Sequence, residues 1–120
     1  MALRIYKCDK CGKTLLSLNE LKKLEGWSEV VPDTTDAAVE KHVPVVTVEG
    51  NEVTVSVGSV THPMTAEHLI EWVAVEKENG YEVKTLQAGA APVVKFALSE
   101  GEKVVAVYAY CNLHGAWKNK

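Results

Sequence analysis

The chain has no apolar run approaching the ~20 residues of a membrane helix, no run of basic residues and no cysteine-rich framework. Each absence excludes a class. Nothing in it reads as a helical membrane span, so no membrane partner is expected. With a net charge of -3 and no clustered Lys and Arg, no nucleic acid partner is expected either, because neutralising phosphates demands such clusters. Three cysteines are an odd number, a poor fit to a secreted disulfide scaffold and a better one to metal or redox chemistry in a reducing compartment. The first residues, Met1 to Cys8, reach a cysteine and charges before a signal-peptide apolar stretch can form, which points to a cytoplasmic protein. At 120 residues, 47% of them hydrophobic, the chain suits one main core.

What is there divides near residue 35. Residues 1–35 hold a Cys8-Asp9-Lys10-Cys11-Gly12-Lys13 knuckle and a stretch read as a short helix, with Ser17 and Glu20 at capping-box spacing and Gly26 as its end. Val30-Val31-Pro32-Asp33-Thr34-Thr35-Asp36 is polar and proline-marked, and suits a linker. From Val43 onward the pattern is β. Val45 to Val48, a Gly50-Asn51 turn and the alternation of Val53, Val55 and Val57 with polar residues predict a hairpin. Leu69 to Val75 and Tyr81 to Gln87 flank Asn79-Gly80, read as a tight positive-φ turn. Pro92 to Leu98 and Lys103 to Tyr110 flank Ser99-Glu100-Gly101-Glu102, read as a further hairpin. Six or seven short strands at roughly 8 to 12 residue spacing predict an all-β fold, an immunoglobulin-like antiparallel β-sandwich.

The ligand-type residues cluster at turn signals. Cys111 and His114 stand three positions apart after an apolar run; His62 and His68 share one loop with Pro63 between them, and His42 precedes Pro44. A lone histidine is more often a solvated or hydrogen-bonded residue than a ligand, but here five donors can converge. Structural zinc closes with four ligands and would leave one unused. A cupredoxin-like copper electron carrier is the more serious rival, since His2Cys suits it, yet it wants an axial donor and no methionine follows His114; Met64 is poorly placed. Iron with four nitrogens, an axial sulfur and an open sixth position uses every donor.

The stretches Glu40-Lys41-His42-Val43-Pro44-Val45, Gly58-Ser59-Val60-Thr61-His62-Pro63-Met64, His68-Leu69-Ile70-Glu71-Trp72 and Tyr110-Cys111-Asn112-Leu113-His114-Gly115-Ala116-Trp117 closely resemble superoxide reductases of the desulfoferrodoxin and neelaredoxin family over residues 36–120. The resemblance implies a mononuclear non-haem iron (Fe2+/Fe3+) with His42, His62, His68 and His114 as equatorial ligands and Cys111 as the axial one. It implies one-electron reduction of superoxide to hydrogen peroxide, re-reduction by rubredoxin or a similar donor, and a dimer or tetramer. Glu40 and Lys41 would lie on a mobile loop over the open face. Lys41 would attract superoxide and order the water that delivers protons, and Glu40 would bind the vacant position in the oxidised state. Alone, Glu40-Lys41 would read as a solvated pair. Trp72 and Trp117 read as core rings shielding the site. Leu69 departs from the family, which often carries tyrosine there, and this puts any role of that hydroxyl in doubt.

Cys8-x-x-Cys11-Gly12 resembles half of a desulforedoxin-like centre. Its second cysteine pair is missing from Leu24 to Val31, so one chain cannot supply four thiolates and a second metal is not expected. Three readings stay open: a vestigial dithiol open to oxidation, a metal shared between chains, or inert residues.

Overall fold

Alternation puts Val53, Val55 and Val57 on one face of a strand and Glu52, Thr54 and Ser56 on the other. In the computed structural model, which describes residues 3–120, that valine face is fully buried and anchors the core. Met1 and Ala2, part of the stretch read above for a leader, lie outside the described residues. The elements are β1 (Arg4–Cys8), β2 (Thr14–Ser17), β3 (Trp27–Glu29), α1 (Val39–His42), β4 (Pro44–Glu49), β5 (Glu52–Val57), β6 (Ile70–Lys77), β7 (Gly80–Thr85), β8 (Val93–Ala97), β9 (Val104–Cys111) and β10 (Gly115–Lys118).

A sheet of order β10-β9-β6-β7 faces one of order β4-β5-β8, every pairing antiparallel, which is the expected sandwich. Between them pack Val53, Val55, Val57, Val73, Val75, Phe96, Val107, Ala109 and Cys111. β6 and β9 are apolar on both faces because both are covered. On their outer side Trp72, Ala74, Tyr108 and Tyr110 meet Leu3, Ile5 and Leu16 of the third sheet, order β2-β1-β3. A bulge between Ile70 and Trp72 lets Ile70 face the inner cluster and Trp72 the outer one.

Several sequence expectations are corrected here. The helix read after Ser17 is absent: Thr14–Ser17 is β2, paired with β1, and the Ser17 hydroxyl closes a local turn with Asn19 instead of capping. Residues 18–25 form no helix: Leu18 and Leu21 are exposed, so a helix there would have no apolar face packed against the core. Pro92 to Leu98 and Lys103 to Tyr110 are not a hairpin. The Ser99–Glu102 turn is real, with the Glu102 N–H donating to Ser99 O at 2.9 Å, but it carries the chain from one sheet to the other: β8 pairs with β5, and β9 with β6 and β10. The β6–β7 hairpin stands, but Lys77 pairs with Gly80, so Glu78-Asn79 closes it and neither Asn79 nor Gly80 takes a positive φ. The stretch read as a linker is tied down, with the Asp33 N–H donating to Ala116 O at 3.0 Å and the Lys118 N–H to the Asp33 carboxylate at 3.1 Å.

Candidate metal centre

All the predicted ligand-type residues fall at one end of the sandwich, because each ends or precedes a strand. His42 closes α1 just before Pro44, with Val43 held extended as a residue before proline must be. His62 follows the turn after β5, His68 immediately precedes β6 across Leu69, Cys111 ends β9, and His114 lies in the β9–β10 turn. Two glycines permit the approach. A Cβ on Gly58 would meet the carbonyl oxygens of Lys41 and Glu40 at 2.7 and 2.8 Å. Gly115, at φ +78, would press one on the Thr35 hydroxyl at 3.2 Å.

One donor atom each from His42, His62, His68 and Cys111 lies within 4.8 Å of the others, an arrangement that could hold a metal ion. His114 stands beside the four, its Nδ1 3.1 Å from His42 Nε2 and 3.8 Å from Cys111 Sγ. The tautomers decide what this means. His42 Nδ1–H donates to Ala38 O and His62 Nδ1–H to Pro63 O, both at 2.7 Å, so in the neutral rings each Nε2 carries only a lone pair. Those two lone pairs face each other at 3.2 Å. With no proton to share they repel, and a cation between them is what would reverse the sign. His68 Nε2 is buried with no hydrogen-bond partner at all, a cost a metal bond would remove. Nitrogen and thiolate donors of this kind suit iron, copper or zinc over magnesium or calcium.

The electrostatics agree. Burial pushes the His62 imidazole down to about 4 and those of His42 and His68 down from their ordinary value, with the neighbouring imidazoles adding to each shift. The rings are therefore neutral, as ligands must be. Burial pushes the Cys111 thiol up, while the amides of Leu113 and His114 oppose it. A bound cation would favour the thiolate.

Glu40 and Lys41 are exposed on α1, at the rim. The charge of Lys41 helps depress His68, and that of Glu40 acts on His42 in the opposite sense. Their backbone is anchored, because Glu40 O accepts from the Val60 N–H at 2.9 Å and from the Ser59 hydroxyl at 3.3 Å.

Trp117 is buried beside the site as expected. It stacks on His42 with centroids 5.0 Å apart and gives its indole N–H to His114 O at 3.1 Å. Trp72 is not a shield of the site: it stacks on Tyr110 at 5.5 Å and donates to Thr14 Oγ1 at 3.0 Å, joining the sandwich to the N-terminal sheet. Met64 sulfur accepts the Ile70 N–H at 3.4 Å, and its side chain packs against the inner core cluster.

Sequence reasoning missed Asn112. Its Oδ1 accepts the Leu69 N–H at 3.0 Å, its Nδ2 donates to Glu67 O at 2.9 Å, and its own N–H donates to Leu69 O at 3.2 Å. These bonds bracket His68 and tie its loop to the one that carries Cys111 and His114. The only signal available was an amide side chain beside a predicted ligand. Cys8 and Cys11 lie outside this centre, and both are free.

Residues 34–120 match the family model described as Desulfoferrodoxin. The chain is 47% identical over 95 residues to a desulfoferrodoxin from Clostridium acetobutylicum, covering 78% of this chain and 73% of that one. It is 39% identical over 127 residues to a desulfoferrodoxin homolog from Archaeoglobus fulgidus, covering 98% and 96%. Its structure superposes on the crystal structure of the superoxide reductase from Treponema pallidum with a TM-score of 0.82 at 44% identity, covering 88% of this chain and 93% of that one.

Proposed function

The chain belongs to the desulfoferrodoxin family, and from that premise we propose that it reduces superoxide to hydrogen peroxide at a single iron held by His42, His62, His68, His114 and Cys111. The facing, proton-free Nε2 atoms of His42 and His62 are the observation that carries the metal. Iron(II), when bound, supplies the one electron that superoxide needs, and two protons complete hydrogen peroxide.

This chain's residues do the rest. Ala38 and Pro63 fix two ring planes through their carbonyls, so the imidazoles do not have to reorient during a cycle. Cys111, as thiolate, raises electron density at the metal and so favours donation to superoxide. His42, His62 and Cys111 are buried and Lys41 is exposed on α1, close enough for its charge to act on His68. The Lys41 ammonium attracts the superoxide anion locally even though the net charge of the chain is -3, and orients water for proton delivery. Glu40, exposed on α1, would offer the carboxylate that holds the metal in its oxidised state. Residues 1–35 and 36–120 act as two units, and only the second carries the centre. Re-reduction comes from an external one-electron donor such as rubredoxin, in the cytoplasm, with the protein a dimer or tetramer. Among the described residues no helix is long and apolar enough to cross a membrane.

The test is a superoxide pulse on iron-loaded protein. Stoichiometric iron, its oxidation by the pulse, and peroxide without oxygen as product are expected. Oxygen evolution, or iron that superoxide leaves reduced, would refute the reading.

A further inference from the structure

The centre described above makes no use of the knuckle Cys8-Asp9-Lys10-Cys11-Gly12-Lys13, whose two thiols are free. Its backbone is held by the Cys8 N–H on Lys13 O at 2.7 Å, the Gly12 N–H on Cys8 O at 3.0 Å and the Asp9 N–H on Gly26 O at 2.8 Å. Gly12 takes φ +73, the left-handed conformation that lets the chain double back. The result brings Cys11 over Cys8, and the Cys11 N–H donates to Cys8 Sγ at 3.2 Å. The neighbouring Cys11 thiol and the amides of Cys11, Lys10 and Gly12 hold the Cys8 thiol below its ordinary range. Cys11 is exposed and Cys8 half-buried, so small solutes reach both.

The facing strand gives the pair no metal donor. Trp27 of β3 is the register partner of Cys8, and the next side chain, Ser28, spends its hydroxyl on the Asp9 carboxylate at 2.6 Å, engaging the nearest acid as well. Two thiols without further donors do not close a tetrahedral site. One activated thiol beside an exposed second one is instead the arrangement of a dithiol that cycles with a disulfide.

We propose that Cys8 and Cys11 form a second redox site, a dithiol that hydrogen peroxide oxidises to an intramolecular disulfide, so that the chain consumes part of the peroxide its own metal centre makes. Only the source of the peroxide rests on the reading of that centre. The Cys8 thiolate attacks one oxygen of hydrogen peroxide; the O–O bond breaks, Cys8 becomes a sulfenic acid, and the departing hydroxide takes up the proton the thiol had released, leaving as water. The Cys11 thiolate then attacks the Cys8 sulfur; the S–S bond forms, the S–O bond breaks, and the hydroxide leaves as a second water with the proton from Cys11. Two thiols and one peroxide give one disulfide and two waters, the sulfurs oxidised and the peroxide reduced. A reduced dithiol resets the pair by exchange.

The experiment adds reagent hydrogen peroxide to the full iron-loaded chain and to the same chain after chelation, then reads intact mass, alkylatable thiols and cross-linked peptides. Both forms are expected to lose two hydrogens, to lose two alkylatable thiols, and to regain them with a dithiol reductant, with Cys8 linked to Cys11 and Cys111 reduced. Cys8→Ser should abolish the mass loss, and Cys11→Ser should leave Cys8 adding oxygen instead. Several results would overturn the proposal: an unchanged mass, oxygen addition in place of hydrogen loss in the unsubstituted chain, a disulfide between chains, a retained metal that blocks alkylation of the pair, or a disulfide formed only with iron present. Because the peroxide is added as a reagent, none of these depends on whether the iron centre reduces superoxide.

Discussion

Cys8-x-x-Cys11-Gly12 and Cys111-x-x-His114-Gly115 share a local design: a sulfur, two spacer residues, a second donor, and a glycine at φ +73 or +78. In both, the amides that follow favour the thiolate of the first sulfur, those of Lys10, Cys11 and Gly12 for Cys8, and those of Leu113 and His114 for Cys111. The two thiols nonetheless shift in opposite directions. Cys8 is only half-buried, and the neighbouring thiol and amides prevail and lower it. Cys111 is fully buried, and burial prevails over its amides. The surroundings differ in donors as well: Trp27 and Ser28 face the first pair, while three histidines from distant segments face the second. The same local nest is a dithiol in one place and a metal corner in the other, because the rest of the fold supplies burial and partners to only one of them.

The most severe test of that contrast is Cys111→Ser. It should cost metal affinity by more than the ~10–100-fold that loss of an outer partner costs, and remove any thiolate-to-iron charge-transfer band, both read by metal analysis and visible absorption. Retention of the band would mean that the sulfur bound is another one.

Acid should act next. His62 titrates near 4 in the folded, metal-free chain, below an ordinary value of 6.5, so the unfolded chain binds more protons between those limits. Stability of the metal-free chain is therefore fully present above about 6.5 and lost as pH falls toward 4, at about 1.4 kcal/mol per pH unit for this group. Denaturant titrations across that window should show the slope, with iron-loaded protein flatter until the metal leaves.

Asn112→Ala removes both clamps on the His68 loop and should lower metal affinity about 10-fold, with about 1–3 kcal/mol of stability lost, measured by competition with a chelator and by denaturation. Asn112→Asp keeps the acceptor for the Leu69 N–H but sets an oxygen against Glu67 O, and should fall no nearer the unsubstituted chain than halfway.

Lys41→Ala should leave iron bound, slow the reaction with superoxide about 10-fold at low salt, and flatten its salt dependence, as stopped-flow would show. The smallest effect belongs to the other loop. Cys8→Ser should leave iron content and superoxide rate unchanged and shift stability by less than about 0.5 kcal/mol; a drop in bound iron would break the separation of the two loops.

Much of the sandwich was legible because period-2 alternation is a local property: Val53 to Val57 could face inward only every second residue. The 99–102 turn was misread because a hairpin and a crossing between sheets share the same turn residues, and only burial of Phe96 and Val107 between the sheets separates them. The strand over Thr14–Ser17 went unread because its reason lies in β1 and in the outer face of β9, not in its own residues. Asn112 went unseen because its role consists of bonds to a loop more than forty positions earlier.

The amino-acid sequence by itself determined the donor types, their placement at strand ends beside Pro44, Pro63 and Gly115, and the alternation that makes those strands. Side-chain chemistry and periodicity need no partner to be read. The tertiary structure alone decided which donors meet, which imidazole nitrogens keep bare lone pairs, and which of two similar cysteine loops is buried. Those outcomes depend on which apolar faces cover one another, and that is a property of no single stretch.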